Sequence, residues 1–225
     1  MQALPQRAVA EALGTAMLLV AVVGSGIMGE RLAAGNEAVA LLANTIATGA
    51  ALVALILTFG PISGAHLNPA VTFASAWQRH TPWREVPVYL IAQTGGALAG
   101  VAAAHLMFEL PLLSVSHRSR DGGSQIFSEF VATFGLVLLI FVCVRFRPHF
   151  VPFAVAAYIT AAYWFTASTS FANPAVTLAR SLTDTFTGIR PGNVPGFVVA
   201  QFLGATAATL LFRWLAKGSE TGEAE

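Results

Sequence analysis

The chain has 225 residues, a formal net charge of +1 and one cysteine, Cys143. Apolar residues make up 56% of it and charged residues only 10%, whereas a soluble domain usually carries about 25% charged residues. This composition indicates a membrane protein. The small net charge argues against a nucleic-acid partner, and a lone cysteine excludes an internal disulfide.

Six stretches are apolar enough, and long enough, to cross a bilayer as helices of about 20 residues. In chain order they cover residues 8–28, 38–59, 86–108, 126–144, 150–168 and 194–216. The first stretch is too long for the apolar core of a signal peptide. The sequence therefore predicts an all-α membrane protein with six transmembrane helices, followed by a solvated acidic tail at 219–225.

The tripeptide Asn-Pro-Ala occurs twice, starting at Asn68 after the second span and at Asn173 after the fifth. Asn is a favoured helix N-cap, and Pro is favoured at the first helical position. The polar breaks that follow leave room for only about three turns, which is too short to cross a bilayer. We therefore predict two re-entrant half-helices that begin inside the membrane.

Three landmarks recur in the same order along the chain. Glu11 in the first span returns as Glu129 in the fourth, the triplets follow, and Gln93 in the third span returns as Gln201 in the sixth. Because each unit has an odd number of spans, the second copy enters the membrane inverted, so the half-helices meet N-terminus to N-terminus. This predicts one channel domain, 1–225, built from repeats 1–110 and 121–218 joined by a linker loop.

Lys and Arg in the loops predict the orientation of the chain. Six spans put both termini on one side. That side holds seven of these cations and the other side four, namely Arg7, Arg79, Arg84, Arg145, Arg147, Arg213 and Lys217 against Arg31, Arg118, Arg120 and Arg190. We therefore expect both termini in the cytoplasm.

The run Ser63-Gly-Ala-His-Leu-Asn-Pro-Ala-Val-Thr72, with the second triplet and the repeated glutamates, resembles the aquaporin (major intrinsic protein) family. The resemblance covers roughly residues 8–216. It implies a homotetramer in the cell membrane, each subunit holding its own pore for water or small uncharged solutes such as glycerol. No nucleophile–base or metal-ligand constellation is found, so neither an enzyme nor a cofactor is expected.

The segments before the triplets carry the expected pore wall. Irregular backbone at membrane depth is tolerated where it lines a water-filled cavity. We expect its carbonyls to line the pore, at Gly64, Ala65, His66, Ser170, Phe171 and Ala172. Asn68 and Asn173 can each cap a half-helix through the carboxamide oxygen and keep NH₂ donors for the midplane. The helix N-termini add positive potential there, the barrier known from aquaporin-type pores.

Glu11 and Glu129 are ionisable groups at membrane depth and therefore candidates for function. One interpretation is a proton relay in a coupled transporter. The other is structural: each carboxylate accepts hydrogen bonds from the re-entrant loop of its own repeat. Their symmetric placement, one in each repeat, favours the structural interpretation.

The family's filter positions transfer to this chain by their distance from each triplet, to Thr48, Ala161, Ser170 and Val176. Most of the family has arginine where this chain has Val176. These four residues include no aromatic ring, histidine or fixed charge, so the filter is expected to be wide and mildly polar. A wide, mildly polar filter suits polyols, urea-like molecules and neutral metalloid hydroxides.

Arg180 follows Val176 by one helical turn. It either supplies positive charge to the outer vestibule or pairs with Asp184, which is again four residues further on. The run from Val176 to Arg180, with the run from Tyr163 to Phe171, is similar to a bacterial branch of the family associated with arsenic resistance. That similarity implies neutral arsenicals such as arsenite as solutes.

Three other functions remain open. A general water channel is disfavoured because the filter lacks arginine. A proton-coupled secondary transporter also uses inverted repeats and broken helices. A structural membrane scaffold would leave the duplicated triplets unexplained.

Overall fold

The computed structural model describes residues 2–217, so the acidic tail lies outside the described residues. Within this range the chain forms eight α-helices and no β-strand. The helices are α1 (Leu4–Leu32), α2 (Glu37–Ser63), α3 (Pro69–Trp77), α4 (Val86–Met107), α5 (Gly123–Phe146), α6 (Val151–Phe165), α7 (Pro174–Arg180) and α8 (Val194–Lys217). The all-α prediction is confirmed.

Five of these helices, α1, α2, α4, α5 and α8, are long and apolar enough to cross a membrane. The fifth predicted span, 150–168, is shorter than expected, because α6 has 15 residues and ends at Phe165. Thr166 is already extended, and Thr169 and Ser170 have positive φ angles of 60° and 51°. The last residues assigned to that span therefore belong to the re-entrant segment that follows it.

Close packing of α1 on α4 and of α5 on α8 builds the two repeats, and α2 on α6 joins them. Glycines make this approach possible. A Cβ on Gly96 or Gly100 of α4 would overlap the backbone of α1 at Ala12 or Ala16. A Cβ on Gly204 of α8 would overlap the α5 backbone at Phe130.

The two half-helices α3 and α7 have 9 and 7 residues, so α7 is nearer two turns than the expected three. Pro occupies the first position of each helix, and an extended Asn caps it. Each half-helix packs on α4 and α8, and the two contact one another.

The re-entrant segments before α3 and α7 share one backbone pattern. Positive φ angles fall four, three and one residues before each Asn, at Gly64, Ala65 and Leu67 and at Thr169, Ser170 and Ala172. Five of the six are not glycine, and non-glycine residues in this region carry strain that the surrounding contacts must hold. The repeat symmetry seen in the sequence therefore extends to the backbone.

Candidate functional site

One cavity of about 480 Å³ runs through the centre of the bundle. It extends from Arg7 and His80, on the side of the termini, past both Asn residues to Tyr163 and Arg180 on the opposite side. The two re-entrant segments form one polar wall. The facing wall is apolar and consists of Leu18, Val22, Leu52, Ile56, Leu136, Ile140, Val155 and Ile159. The cavity is therefore an amphipathic conduit.

Asn68 and Asn173 bring the two repeats together at the middle of this conduit. The Asn68 carboxamide oxygen accepts a hydrogen bond from the Ala70 N–H at 2.9 Å, and that of Asn173 accepts from Ala175 at 3.0 Å. Each NH₂ group also donates across the repeat boundary, to the carbonyl of Ala172 or Leu67, at 2.7 Å in both cases. An amide nitrogen has two N–H groups, so each Asn keeps one N–H for a solute at the midplane.

Each buried glutamate holds the re-entrant segment of its own repeat. Glu11 accepts from the N–H groups of His66 and Leu67 at 2.9 and 2.7 Å. Glu129 accepts from those of Phe171 and Ala172 at 2.9 and 2.8 Å. Hydrogen bonds to backbone donors tie both carboxylates to the scaffold, which supports the structural interpretation over the relay.

A glutamine and a threonine complete each of these networks. Gln93 Nε2 donates to Glu11 at 2.8 Å and to Thr72 at 2.9 Å. Gln201 Nε2 donates to Glu129 at 2.6 Å and to Thr177 at 2.8 Å. The anchoring role of the two glutamines was not predicted from the sequence, although their repeated position was a signal for it.

The end of the conduit opposite the termini, here called the outer constriction, is bordered by Thr48, Tyr163, Ser170 and Val176. The assignment of Ala161 to the filter is wrong, because Ala161 lies exposed on the outer face of α6. Successive helix positions differ by about 100°, so residues two apart face nearly opposite ways. Tyr163 stands inside instead, with its hydroxyl 3.3 Å from Thr48 Oγ1. The constriction thus contains an aromatic ring, contrary to the expectation.

Arg180 also borders the conduit and is 2% exposed. Its guanidinium carbon lies 3.4 Å from the centroid of the Phe171 ring, and its Nε donates to the carbonyl of Thr187. The alternative pairing with Asp184 is wrong, because Asp184 is held by the backbone N–H and ring of His117 at 2.9 and 3.1 Å.

Arg120, in the linker between the repeats, contacts the second re-entrant segment outside the conduit, and this role was not predicted from the sequence. Its guanidinium donates to the carbonyls of Gly188 and Ser168 at 2.8 and 3.1 Å. The same group lies 4.9 Å from the Phe171 ring centroid. The linker therefore braces the second re-entrant segment from outside.

The mouth on the side of the termini is built from different residues. Arg7 forms an ion pair with Glu85 at 2.8 Å, and the Tyr89 hydroxyl donates to the Ser63 carbonyl at 2.9 Å. His66 faces Thr72 through Nδ1 at 3.1 Å. The roles of Arg7, Glu85 and Tyr89 were not apparent from the sequence.

Five membrane-length helices and the shorter α6 surround two half-helices, α3 and α7, whose N-termini face each other. A continuous conduit runs through this bundle, and the arrangement defines a membrane channel. The Major intrinsic protein family profile matches the chain twice, over residues 2–149 and 147–225. The chain belongs to the major intrinsic protein family, whose members are channels and not enzymes.

The chain is similar to several known proteins. It is 59% identical over 212 residues to the aquaglyceroporin AqpS of Rhizobium meliloti (strain 1021), covering 94% of this chain and 91% of AqpS. It is 36% identical over 132 residues to aquaporin NIP6-1 of Arabidopsis thaliana, covering 58% and 42%. The X-ray structure of the aquaglyceroporin from Plasmodium falciparum superposes with a TM-score of 0.76 at 21% identity, covering 93% and 96%, which shows a shared fold.

Proposed function

We propose that this channel conducts small uncharged polyhydroxy solutes passively, with glycerol-like polyols and neutral arsenicals such as arsenite as its solutes, together with water. The observation that carries the proposal is the amphipathic conduit. Carbonyls, hydroxyls and amides line one side of it and aliphatic side chains the other. A polyol likewise has polar hydroxyl groups, which hydrogen-bond to the polar side, and a carbon chain, which contacts the aliphatic side.

The outer constriction supports this solute class. Val176 has no donor, and its short apolar side chain leaves space that an arginine would fill. Thr48 and Tyr163 offer two hydroxyls in hydrogen-bond range of each other. The Ser170 hydroxyl has no partner among the described residues. Three hydroxyls beside an apolar valine match a solute that donates and accepts several hydrogen bonds at once.

Arsenite fits on chemical grounds. Its undissociated form is a small neutral trihydroxide, which presents the same hydrogen-bonding groups as glycerol. The likeness to AqpS, a protein described as an aquaglyceroporin, supports the polyol class. For arsenite there is a further argument, because the Val176–Arg180 run resembles the arsenic-associated branch of the family.

We further propose that the channel is a homotetramer in the bacterial inner membrane with cytoplasmic termini. The excess of Lys and Arg on the terminal side supports this orientation. Cross-linking with mass measurement tests the tetramer, and protease access to a C-terminal epitope in right-side-out vesicles tests the orientation.

Stopped-flow light scattering on proteoliposomes tests the solute class. Wild-type channel is expected to pass glycerol and arsenite at rates that rise linearly with the gradient. Val176→Arg is expected to reduce both solute fluxes more than water flux, because a bulky charged side chain narrows the constriction. Val176→Leu, which adds bulk without charge, is the matched control, and its solute fluxes should lie between those of wild type and Val176→Arg.

Fast water flux with negligible glycerol and arsenite flux in the wild type would contradict the proposal and indicate a water channel. Glycerol flux without arsenite flux would retain the polyol class and remove the arsenical.

A further inference from the structure

Arg180 is among the largest fully buried side chains in residues 2–217, and it borders the conduit. A buried guanidinium is costly unless it is paired, because it cannot lose its charge at physiological pH. In the described part of the chain no carboxylate pairs with it, and its one side-chain hydrogen bond runs from Nε to Thr187. The terminal N–H groups therefore need another partner.

The direction of the side chain places this charge at the constriction. Side chains on an α-helix lean towards the helix N-terminus, so a residue covers the surface one turn before its own Cα. Arg180 thus covers the turn of α7 that carries Val176. Its contact agrees with this, since the guanidinium lies over Phe171, which precedes the N-cap of α7.

The surroundings keep the guanidinium in place. Phe171 lies beneath it and is held edge-on by Phe197 at a ring-centroid distance of 5.3 Å. Arg120 also contacts the Phe171 ring, and it bonds to both loops that flank α7. A long side chain fixed at this many points loses little further entropy when it meets a solute.

The local charge balance is positive. Glu129 is the buried acid of this repeat, and hydrogen bonds from backbone N–H groups and Gln201 fix its position without cancelling its charge. Against the two guanidiniums of Arg120 and Arg180 it leaves a positive excess. Asp184 is bound to His117. Arg180 therefore places a positive charge at the border of the conduit, among buried residues, where a fixed charge acts more strongly than in bulk water. Arg120 adds a second positive charge behind the re-entrant segment.

We propose that Arg180 is the cation-excluding residue of the outer constriction, and that its free N–H groups, with the Ser170 hydroxyl, bind acceptor oxygens of the passing solute. Ser170 Oγ is the second observation that points to a ligand here. It is buried, borders the same conduit and has no partner among the described residues. The inference rests on the proposed channel function and assigns its ion selectivity to one side chain.

The test compares ion leak with neutral solute flux in proteoliposomes. Proton and sodium leak is read with a trapped pH dye and a sodium dye, and glycerol flux by light scattering. Arg180→Gln is expected to raise cation leak by about tenfold or more, because a fixed charge beside the passage is gone. Arg180→Lys retains an amine but loses the planar stacking on Phe171, so its leak should lie between those of wild type and Arg180→Gln.

Arg190→Gln is the matched control, because Arg190 lies exposed on the same side of the membrane. Its cation leak should equal that of wild type. If Arg180→Gln is not recovered in the membrane, Arg180→Met, which retains the apolar contact with Phe171, replaces it with the same expected rise in leak.

An unchanged leak in Arg180→Gln and Arg180→Met would overturn the assignment of cation exclusion to Arg180. A wild type without glycerol flux would instead overturn the proposed function. The two failures are therefore read from different measurements.

Discussion

The two re-entrant segments are alike in what holds them and different in what they present to a solute. In both repeats an Asn caps a half-helix and bonds across to the other repeat, and a glutamate with a glutamine anchors the loop backbone. The first segment then presents His66, whereas the second presents Ser170 and Phe171 beneath a buried arginine. The symmetric residues form the scaffold, and the asymmetric ones are those to which we assign selectivity in our proposal.

The glutamate anchors differ by one hydrogen bond. Glu11 accepts from Ser63 Oγ at 2.6 Å in addition to two backbone N–H groups and Gln93. For Glu129 the described donors are two backbone N–H groups and Gln201. The first loop therefore depends more heavily on its carboxylate.

The largest expected effect comes from removing these carboxylates. Glu11→Gln and Glu129→Gln each replace an acceptor oxygen by an NH₂ that faces a backbone N–H, and each is expected to cost about 3 kcal/mol or more of stability. Glu11→Gln should cost about 1 kcal/mol more, because it has the extra donor. Thermal unfolding in detergent, followed by size-exclusion chromatography, measures both.

Glu109→Gln, a change at an exposed position after α4, is the control and should leave the unfolding temperature unchanged. Equal stability of Glu129→Gln and wild type would show that the second anchor is not structural.

The second prediction compares the two asparagines at the middle of the conduit. Asn68→Ala and Asn173→Ala each remove a helix cap and one bond between the repeats, and each change is expected to cost about 2 kcal/mol. The cross-repeat bonds of the two residues have the same length, but Asn173 also accepts from the Val176 N–H at 3.3 Å, so Asn173→Ala should cost up to about 1 kcal/mol more than Asn68→Ala. The same unfolding assay applies, and a larger loss in Asn68→Ala than in Asn173→Ala would contradict this order.

The third effect concerns the asymmetric part. Tyr163→Ala opens the outer constriction and is expected to raise the ratio of glycerol to water flux by about threefold, a change of less than 1 kcal/mol in relative barrier height. Ala161→Leu, two positions earlier on the outward face of α6, should change neither flux. If Ala161→Leu altered the flux ratio and Tyr163→Ala did not, the filter position that we expected from the sequence would be restored.

The smallest effect lies at the outer surface. The backbone N–H of His117, and then its ring, hydrogen-bond Asp184 and hold the pKa of this carboxyl below its ordinary value. A depressed pKa in the folded state means that the stabilisation is complete above the unfolded pKa of about 3.9 and is lost as pH falls through the folded pKa.

Wild-type channel should therefore lose slightly more stability below about pH 4 than Asp184→Asn, measured as unfolding temperature against pH. The group is exposed, so the difference should be small. Parallel curves for the two proteins would show that this contact contributes nothing.

The symmetric scaffold was predictable from the sequence because its key residues occur once in each repeat. The two Asn-Pro-Ala triplets predict the half-helices and their caps, and the repeated glutamates predict the anchors. The cross-repeat bonds of Asn68 and Asn173 were not predicted, since they join residues that are about 105 positions apart.

The filter was harder to predict because it combines elements whose spacing differs between repeats. In the first repeat α2 ends at Ser63, five residues before Asn68, and in the second repeat α6 ends at Phe165, eight residues before Asn173. A position counted back from Asn173 therefore lands on the wrong face of α6, at Ala161 instead of Tyr163. Arg120 was missed for a related reason, because a linker residue has no counterpart in either repeat.

The measurement that tests the central claim most directly is the dependence of wild-type glycerol flux on gradient and pH in proteoliposomes. A fixed scaffold around a continuous conduit predicts flux that rises linearly with the glycerol gradient and stays the same with or without a pH gradient. Saturating flux, with glycerol accumulated against its gradient when a pH difference is imposed, would contradict the account and make Glu11 and Glu129 part of a proton-coupled transporter.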